Sequence, residues 1–380
     1  MSKKPASFIE TPVAEGIIYF CYGCIFILGL SGNTLVMAVV FMNKNMQTIT
    51  NIFITNLAIS DLLLCVVDVT FTPIAFYSKH WRMPNILCKI IAMTMSVAVH
   101  VSTLTSTAIA VNRFLVIRYP LLPRMQAGLC SLLIITIWLI SILISIPMGV
   151  FYKTDDRKNI TICKLIWPEE SSKEVFALFG FLLQFIVPSF IIIYCYFNVS
   201  KILHVRCKHR CRTSHKTRAK EEVEIRRKRR TNKMLISVVI IFSACWIPFN
   251  IFWVINDVKN PTDDKTKSQY TTIFFICHLI AMSSVIYNPF IYGWMNENFK
   301  NEFRHFFKCL CRKSQFDEIE RLNGRILTGN KQRDLKKIPK QQILVELKER
   351  KSEISSFPDI IESNTCQSPV NYSNDVTTSE

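Results

Sequence analysis

Long apolar runs alternate with short polar connections along this chain, and seven of the runs are long enough to cross a bilayer. A membrane helix needs about 20 mostly apolar residues. Residues 17–42, 50–77, 86–117, 127–151, 175–203, 232–256 and 269–295 meet that length with little or no charge at their centres. The pattern predicts an all-α membrane protein built as a seven-transmembrane helix bundle. Glu221 to Arg230 is expected to carry the sixth helix beyond the membrane. After Trp294, Phe299, Phe303, Phe306 and Leu310 recur at helical spacing with Lys300, Arg304 and Lys308 among them. That reads as a short amphipathic helix on the inner leaflet, with Cys309 and Cys311 at its end placed for palmitoylation. From Lys313 the chain is polar and rich in Ser and Thr, the composition of a disordered tail open to phosphorylation. The expected organisation is an outer N-terminus (1–16), the bundle (17–295), the amphipathic helix (296–311) and a cytoplasmic tail (312–380).

Charge orients this picture. Only 19% of the 380 residues are charged, against roughly 25% in a soluble domain. The net charge of +18 could indicate a nucleic-acid partner. The bases, however, gather between apolar runs, from Arg206, Lys208, Arg210 and Arg212 through to Arg226–Arg230. That excludes a nucleic-acid face and marks the fifth-to-sixth loop as cytoplasmic. The loops after the fourth and sixth runs balance their bases with Asp155, Asp156, Glu169, Glu170 and Glu174, and with Asp257, Asp263 and Asp264. Seven crossings then put the N-terminus outside and the tail inside. Met1 to Thr11 lacks the apolar core of a secretory signal, so the first run is expected to direct its own insertion. The fourteen cysteines show no metal spacing, and Cys21 and Cys24 read as small buried hydrophobes in an apolar run. No phosphate-binding glycine loop or nucleophile–base constellation points to an enzyme. Asn159-Ile160-Thr161 is a glycosylation sequon in an outer loop.

Ionisable residues inside a bilayer are costly and mark function by default. Asp61 and Asp68 stand on nearly one face of the second run, and Arg113 near the inner end of the third. Pro147, Pro188, Pro248 and Pro289 interrupt other runs, which is tolerated where neighbouring helices satisfy the freed carbonyls. These features define a polar bundle interior and suit a receptor or a transporter equally.

The motifs in these runs resemble the rhodopsin-like G-protein-coupled receptors from about Gly16 to Cys311. They are Gly32-Asn33, Leu57-Ala58-Ile59-Ser60-Asp61, Cys88, Asn112-Arg113-Phe114, Trp138, Pro188, Tyr196, Cys245-Trp246-Ile247-Pro248 and Asn288-Pro289-Phe290-Ile291-Tyr292. The resemblance implies a plasma-membrane receptor that signals through a heterotrimeric G protein, with receptor kinases and arrestin acting at the tail. It pairs Cys88 with Cys163 in a disulfide. It makes Asp61, Ser102, Ser284 and Asn288 a central polar pocket able to hold a sodium ion, or alternatively an ion-free hydrogen-bonded network. It assigns Trp246, Pro248, Pro289 and Tyr292, together with Tyr196, to activation, and Arg113 to contact with the G protein. The chain departs from the family in having Asn112 where an acid usually adjoins the arginine, and Lys228 where some members carry an acid on helix six. Raised basal signalling is the expected consequence.

The finer resemblance is to neuropeptide Y and invertebrate neuropeptide F receptors. It is carried by Cys277-His278-Leu279-Ile280-Ala281-Met282, Tyr292-Gly293, Asn296-Glu297-Asn298-Phe299, Phe71-Thr72-Pro73 and His80-Trp81. A retinal-binding lysine is missing, since its position is Met282, and so is the amine receptors' aspartate, since its position is Met95. The resemblance implies an amidated peptide ligand ending Arg-Phe or Arg-Tyr and a Gi/o class of G protein. Asp257 would meet the ligand's arginine through a bidentate pair, while Gln184, Thr72 and His278 would contact its polar groups. Asp68 and Thr70 depart from the subfamily. Asp68 leaves open a different peptide or another cationic ligand.

Overall fold

In the computed structural model, the described residues are 9, 11–78, 81–157, 160–208, 215–259, 264–306 and 308. Their architecture is the expected one. Seven helices are long and apolar enough to cross a membrane. They are α1 (Pro12–Met42), α2 (Ile49–Tyr77), α3 (Asn85–Arg118), α4 (Ala127–Phe151), α5 (Glu174–Arg206), α6 (Ile225–Ile255) and α7 (Gln269–Met295). Helix α1 begins earlier than the apolar run predicts because its start is locally encoded. Thr11 caps Ala14 N at 3.3 Å, Pro12 occupies the first turn and Glu15 adds an acid there. The helix containing α6 runs from His215 to Lys259, so the basic stretch 221–230 does extend it.

Helix α3 packs against α2, α4 and α5, while α7 packs against α1 and α6. Small residues permit the close approaches. A Cβ on Gly29 would lie 2.6 Å from Cys65 Sγ and 2.8 Å from Val285 Cγ2, and one on Gly32 would lie 2.9 Å from Pro289 Cγ. The core between α1, α2, α3, α6 and α7 includes Leu64, Ala98, Trp246, Phe249, Phe275, Met282 and Val285. Helices α4 and α5 leave Leu132, Leu139, Leu143, Phe190, Ile193 and Phe197 uncovered. An uncovered apolar surface of that extent suits lipid.

Two helices contain a wider, π-type turn, at Leu64–Val69 in α2 and Leu182–Ile186 in α5. Each lies just before a proline, Pro73 or Pro188. A proline ring clashes with the carbonyl four residues back, which is Val69 in one case and Gln184 in the other. Both carbonyls belong to the widened turn, where an added residue moves them aside.

Between α4 and α5, β1 (Tyr152–Arg157) pairs antiparallel with β2 (Ile160–Leu165), with Thr154 opposite Cys163. The charge pattern of this loop predicts no such hairpin. The chain divides into two units, one up to Lys300 and a second from Asn301. In the second, residues 301–306 and 308 are helical. Cys309, Cys311, Asn159, His80 and the tail from Lys313 lie outside the described residues.

Candidate functional site: an outer cavity above a polar core

The hairpin is held over the bundle by a Cys88–Cys163 disulfide, which ties β2 to the first turn of α3. Trp81 N donates to Thr161 O at 2.7 Å, so the connection between α2 and α3 joins the same assembly. Beneath lies a cavity of about 410 Å³. Its wall combines Trp81, Thr161, Ile162 and Cys163 with Phe71, Thr72 and Phe76 of α2, Met95 of α3, Phe249 and Trp253 of α6, and Phe274 and His278 of α7. An aromatic cavity with a few polar groups is the usual form of a ligand site.

Four of the six sequence-predicted ligand residues, Thr72, His278, Met95 and Asp68, meet in this wall. Gln184 does not line it. It sits half-buried in the π-type turn of α5. Asp257 falls in the last turns of the helix containing α6, and its side chain lies outside the described residues. His278 is held from several sides. Tyr22 OH and His278 Nδ1 are 2.5 Å apart, and the imidazole stacks on Phe274 and meets Phe249 edge-on. Tyr22 was not legible as a site residue, because a tyrosine in an apolar run carries no signal of a partner on another helix.

The polar core lies deeper. Asn288 Nδ2 donates to Asp61 Oδ2 at 2.8 Å. The two serines assigned to the same pocket bond elsewhere. Ser102 Oγ pairs with Ser60 Oγ at 2.8 Å, and Ser284 Oγ accepts from Trp246 Nε1 at 3.1 Å. Asn33 Nδ2 donates to Val285 O at 2.9 Å, Asn56 Nδ2 to Thr105 Oγ1 at 2.8 Å, and Trp138 Nε1 to Asn56 Oδ1 at 2.9 Å. These bonds link α1, α2, α3, α4, α6 and α7 where water is excluded, so each removed partner leaves a costly orphan. Trp246, the residue above this core, is 1% exposed and contacts Phe242 and Phe249.

At the inner end, Arg113 Nε and Tyr292 OH are buried without hydrogen-bond partners among the described residues. Tyr196 is also buried. Asn112 is 8% exposed, and Phe114 packs against Tyr119 and Tyr194. Basic side chains tie the helix ends together. Arg206 Nη2 donates to Ile117 O at 2.9 Å, and Arg229 Nη2 to Leu203 O at 3.2 Å. Arg227 Nη2 donates to Asn298 Oδ1 at 2.8 Å, while Arg230 pairs with Glu297 and reaches Trp294 O. The motifs do not announce this clamp between α6 and the segment after α7.

A hairpin-covered aromatic cavity over a polar seven-helix core defines a membrane receptor. The model of the 7 transmembrane receptor (rhodopsin family) matches residues 32–292, and the chain belongs to that family. As a member it is a multi-pass plasma-membrane protein and not an enzyme. Within the family it is similar to the neuropeptide F receptor of Drosophila melanogaster, with 36% identity over 318 residues, which is 80% of this chain and 64% of the fly protein's length. It is 34% identical to neuropeptide Y receptor type 6 of Mus musculus over 75% of this chain and 79% of the mouse protein. It is 32% identical to neuropeptide Y receptor type 2 of Homo sapiens over 77% of this chain and 76% of the human protein.

Proposed function

We propose that this chain is a receptor for an amidated peptide ending Arg-Phe or Arg-Tyr that signals through a Gi/o-class G protein. The observation that carries this reading is the aromatic cavity under the disulfide-anchored hairpin, in which Thr72, His278, Met95 and Asp68 converge. Aromatic walls suit a terminal Phe or Tyr, and the polar groups can bond a terminal amide without a counter-charge. The relatives' names, neuropeptide F and neuropeptide Y receptor, support a peptide ligand.

In this reading the N-terminus and hairpin face outward and the tail inward, as the basic fifth-to-sixth loop requires. Asp257 meets the peptide's arginine, and Gln184 contacts the peptide from α5. The ligand favours the open state only by its greater affinity for it. Opening then parts the inner ends of α5, α6 and α7, presenting Arg113 to the G protein. Receptor kinases and arrestin act on the tail, and palmitate on Cys309 and Cys311 holds the amphipathic segment to lipid. Asn159 carries the sugar.

Asp61, Ser102, Ser284 and Asn288 are the residues that would hold a sodium ion. Asp61 is 2% exposed, and no Lys or Arg pairs with it among the described residues. An all-oxygen donor set suits a hard cation, and such an ion would stabilise the resting packing of α2 against α7.

The test is cAMP inhibition in cells bearing the receptor, challenged with amidated Arg-Phe and Arg-Tyr peptides and with their free acids. The reading expects the amides to act at far lower concentration than the acids. Silence toward the amides in every G-protein readout, with the receptor shown at the cell surface, would overturn it.

A further inference from the structure

Asp68 is a carboxylate that the fold leaves unanswered. It lines the outer cavity and is 2% exposed. Among the described residues its Oδ1 accepts only a long bond from Thr72 Oγ1, at 3.3 Å, and its Oδ2 has no hydrogen-bond partner. The nearest basic group, His278 Nε2, stands 3.8 Å from Oδ2, beyond hydrogen-bond reach. That imidazole is already fixed on its other side by Tyr22. No Lys or Arg lines the cavity among the described residues. A buried carboxylate without a partner is strongly unfavourable, so the site is suited to a partner that the described residues do not provide.

We propose that Asp68 is a second charge-recognition point, which receives a guanidinium or ammonium group of the ligand deep between α2 and α7. This deepens the peptide-receptor reading and rests on it, since Asp257 at the end of the α6 helix would take one cation and Asp68 another. The surroundings fit the assignment. Phe71 and Phe76 on α2, Phe249 and Trp253 on α6 and Phe274 on α7 line the same cavity as the carboxylate, and aromatic faces attract desolvated cations. Excluding water there also strengthens the ion pair. The imidazole orients the site. Tyr22 OH meets Nδ1 of the ring, and Nε2 faces Asp68 Oδ2 across the 3.8 Å gap. The π-type turn at Leu64–Val69 contains Asp68 and sets its direction. Its Thr70 Oγ1 donates five residues back, to Cys65 O at 3.2 Å. Recognition at Asp68 therefore selects ligands with a positive charge in the inserted portion and disfavours neutral isosteres, which would leave the carboxylate buried and unpaired.

The test has two arms. In the first, thermal unfolding of the purified full-length Asp257→Ala receptor, which keeps Asp68, is followed across a millimolar series of arginine amide or of citrulline amide, its uncharged isostere. Arginine amide should raise its melting temperature in a saturable way. Citrulline amide should not, and adding Asp68→Asn should abolish the difference. Equal shifts with both amides, a difference that survives the added Asp68→Asn, or no shift at all would each overturn the proposal. Adding Asp68→Glu instead, which keeps the charge, should keep the difference, and its loss there would also count against the site. In the second arm, an amidated Arg-Phe peptide is tested for binding to wild type and Asp68→Asn. A loss of roughly thirtyfold or more is expected from truncating one partner of a buried charge pair. Peptide binding that ignores Asp68→Asn, with no arginine-amide shift, removes the site and leaves the receptor reading intact. An arginine-amide shift without any response to amidated peptides keeps the site and removes the ligand class.

Discussion

Asn288 Nδ2 donates to Asp61 Oδ2 at 2.8 Å, joining α7 to α2 through two side chains that are 7% and 2% exposed. Asp61→Ala leaves the Asn288 amide without this acceptor, and a buried orphaned donor costs about 1–3 kcal/mol. Asp61→Asn keeps an acceptor oxygen and should lose less. Melting curves of the purified receptors, ranked wild type, then Asn, then Ala, are the expected outcome.

Removing the disulfide between Cys88 and Cys163 releases the hairpin from α3. Cys88→Ser and Cys163→Ser should each cost about 2–5 kcal/mol, in the range for native disulfides. The double variant should be no worse than either single, since both remove one bond. Surface abundance and melting temperature measure this directly.

Gly29 sits where a methyl group has no room. Gly29→Ala forces its Cβ against Cys65 Sγ and Val285 Cγ2, an overpacking worth about 1–3 kcal/mol. Gly23→Ala meets nothing within 4 Å and should be neutral or nearly so. Parallel melting curves for these two α1 variants separate steric from propensity effects.

Arg230 and Glu297 clamp α6 to the segment after α7, and both are exposed enough for solvent to weaken the pair. Exposed pairs contribute about 0.2–1 kcal/mol, so Glu297→Lys should raise ligand-free signalling by less than about fivefold. The exchange Arg230→Glu with Glu297→Arg should return it toward wild type. Asn112→Asp gives Arg113 an adjacent carboxylate and should lower ligand-free signalling further. Agonist-free G-protein activation, scaled to surface abundance, reads all four receptors.

The bundle was legible because a bilayer imposes length: each of the seven runs exceeds what a crossing helix needs, and each became a helix. Thr72, His278 and Met95 come from the family's motif positions and Asp68 from its charge in an apolar run, and the structure sets all four in one cavity wall. Gln184, implied by the subfamily resemblance, lies in the π-type turn before Pro188 and is not part of the cavity wall, and no local pattern announces that widened turn. Ser102 and Ser284 share the region of Asp61 but spend their hydroxyls on Ser60 and Trp246, a choice made by neighbours on other helices. The contact of Tyr22 with His278 and the clamp of Arg230 on Glu297 join residues far apart in sequence. No local pattern specifies such pairs.

Saturation binding of an amidated Arg-Phe peptide to wild type and to Asp257→Ala, both quantified at the cell surface, tests the central claim most directly. The account predicts tight binding to wild type and a loss of roughly 2–5 kcal/mol in the variant, about thirtyfold or more in Kd. Equal affinity in both receptors, or a wild type that binds other peptides but ignores the amidated arginine-bearing ones, would contradict it.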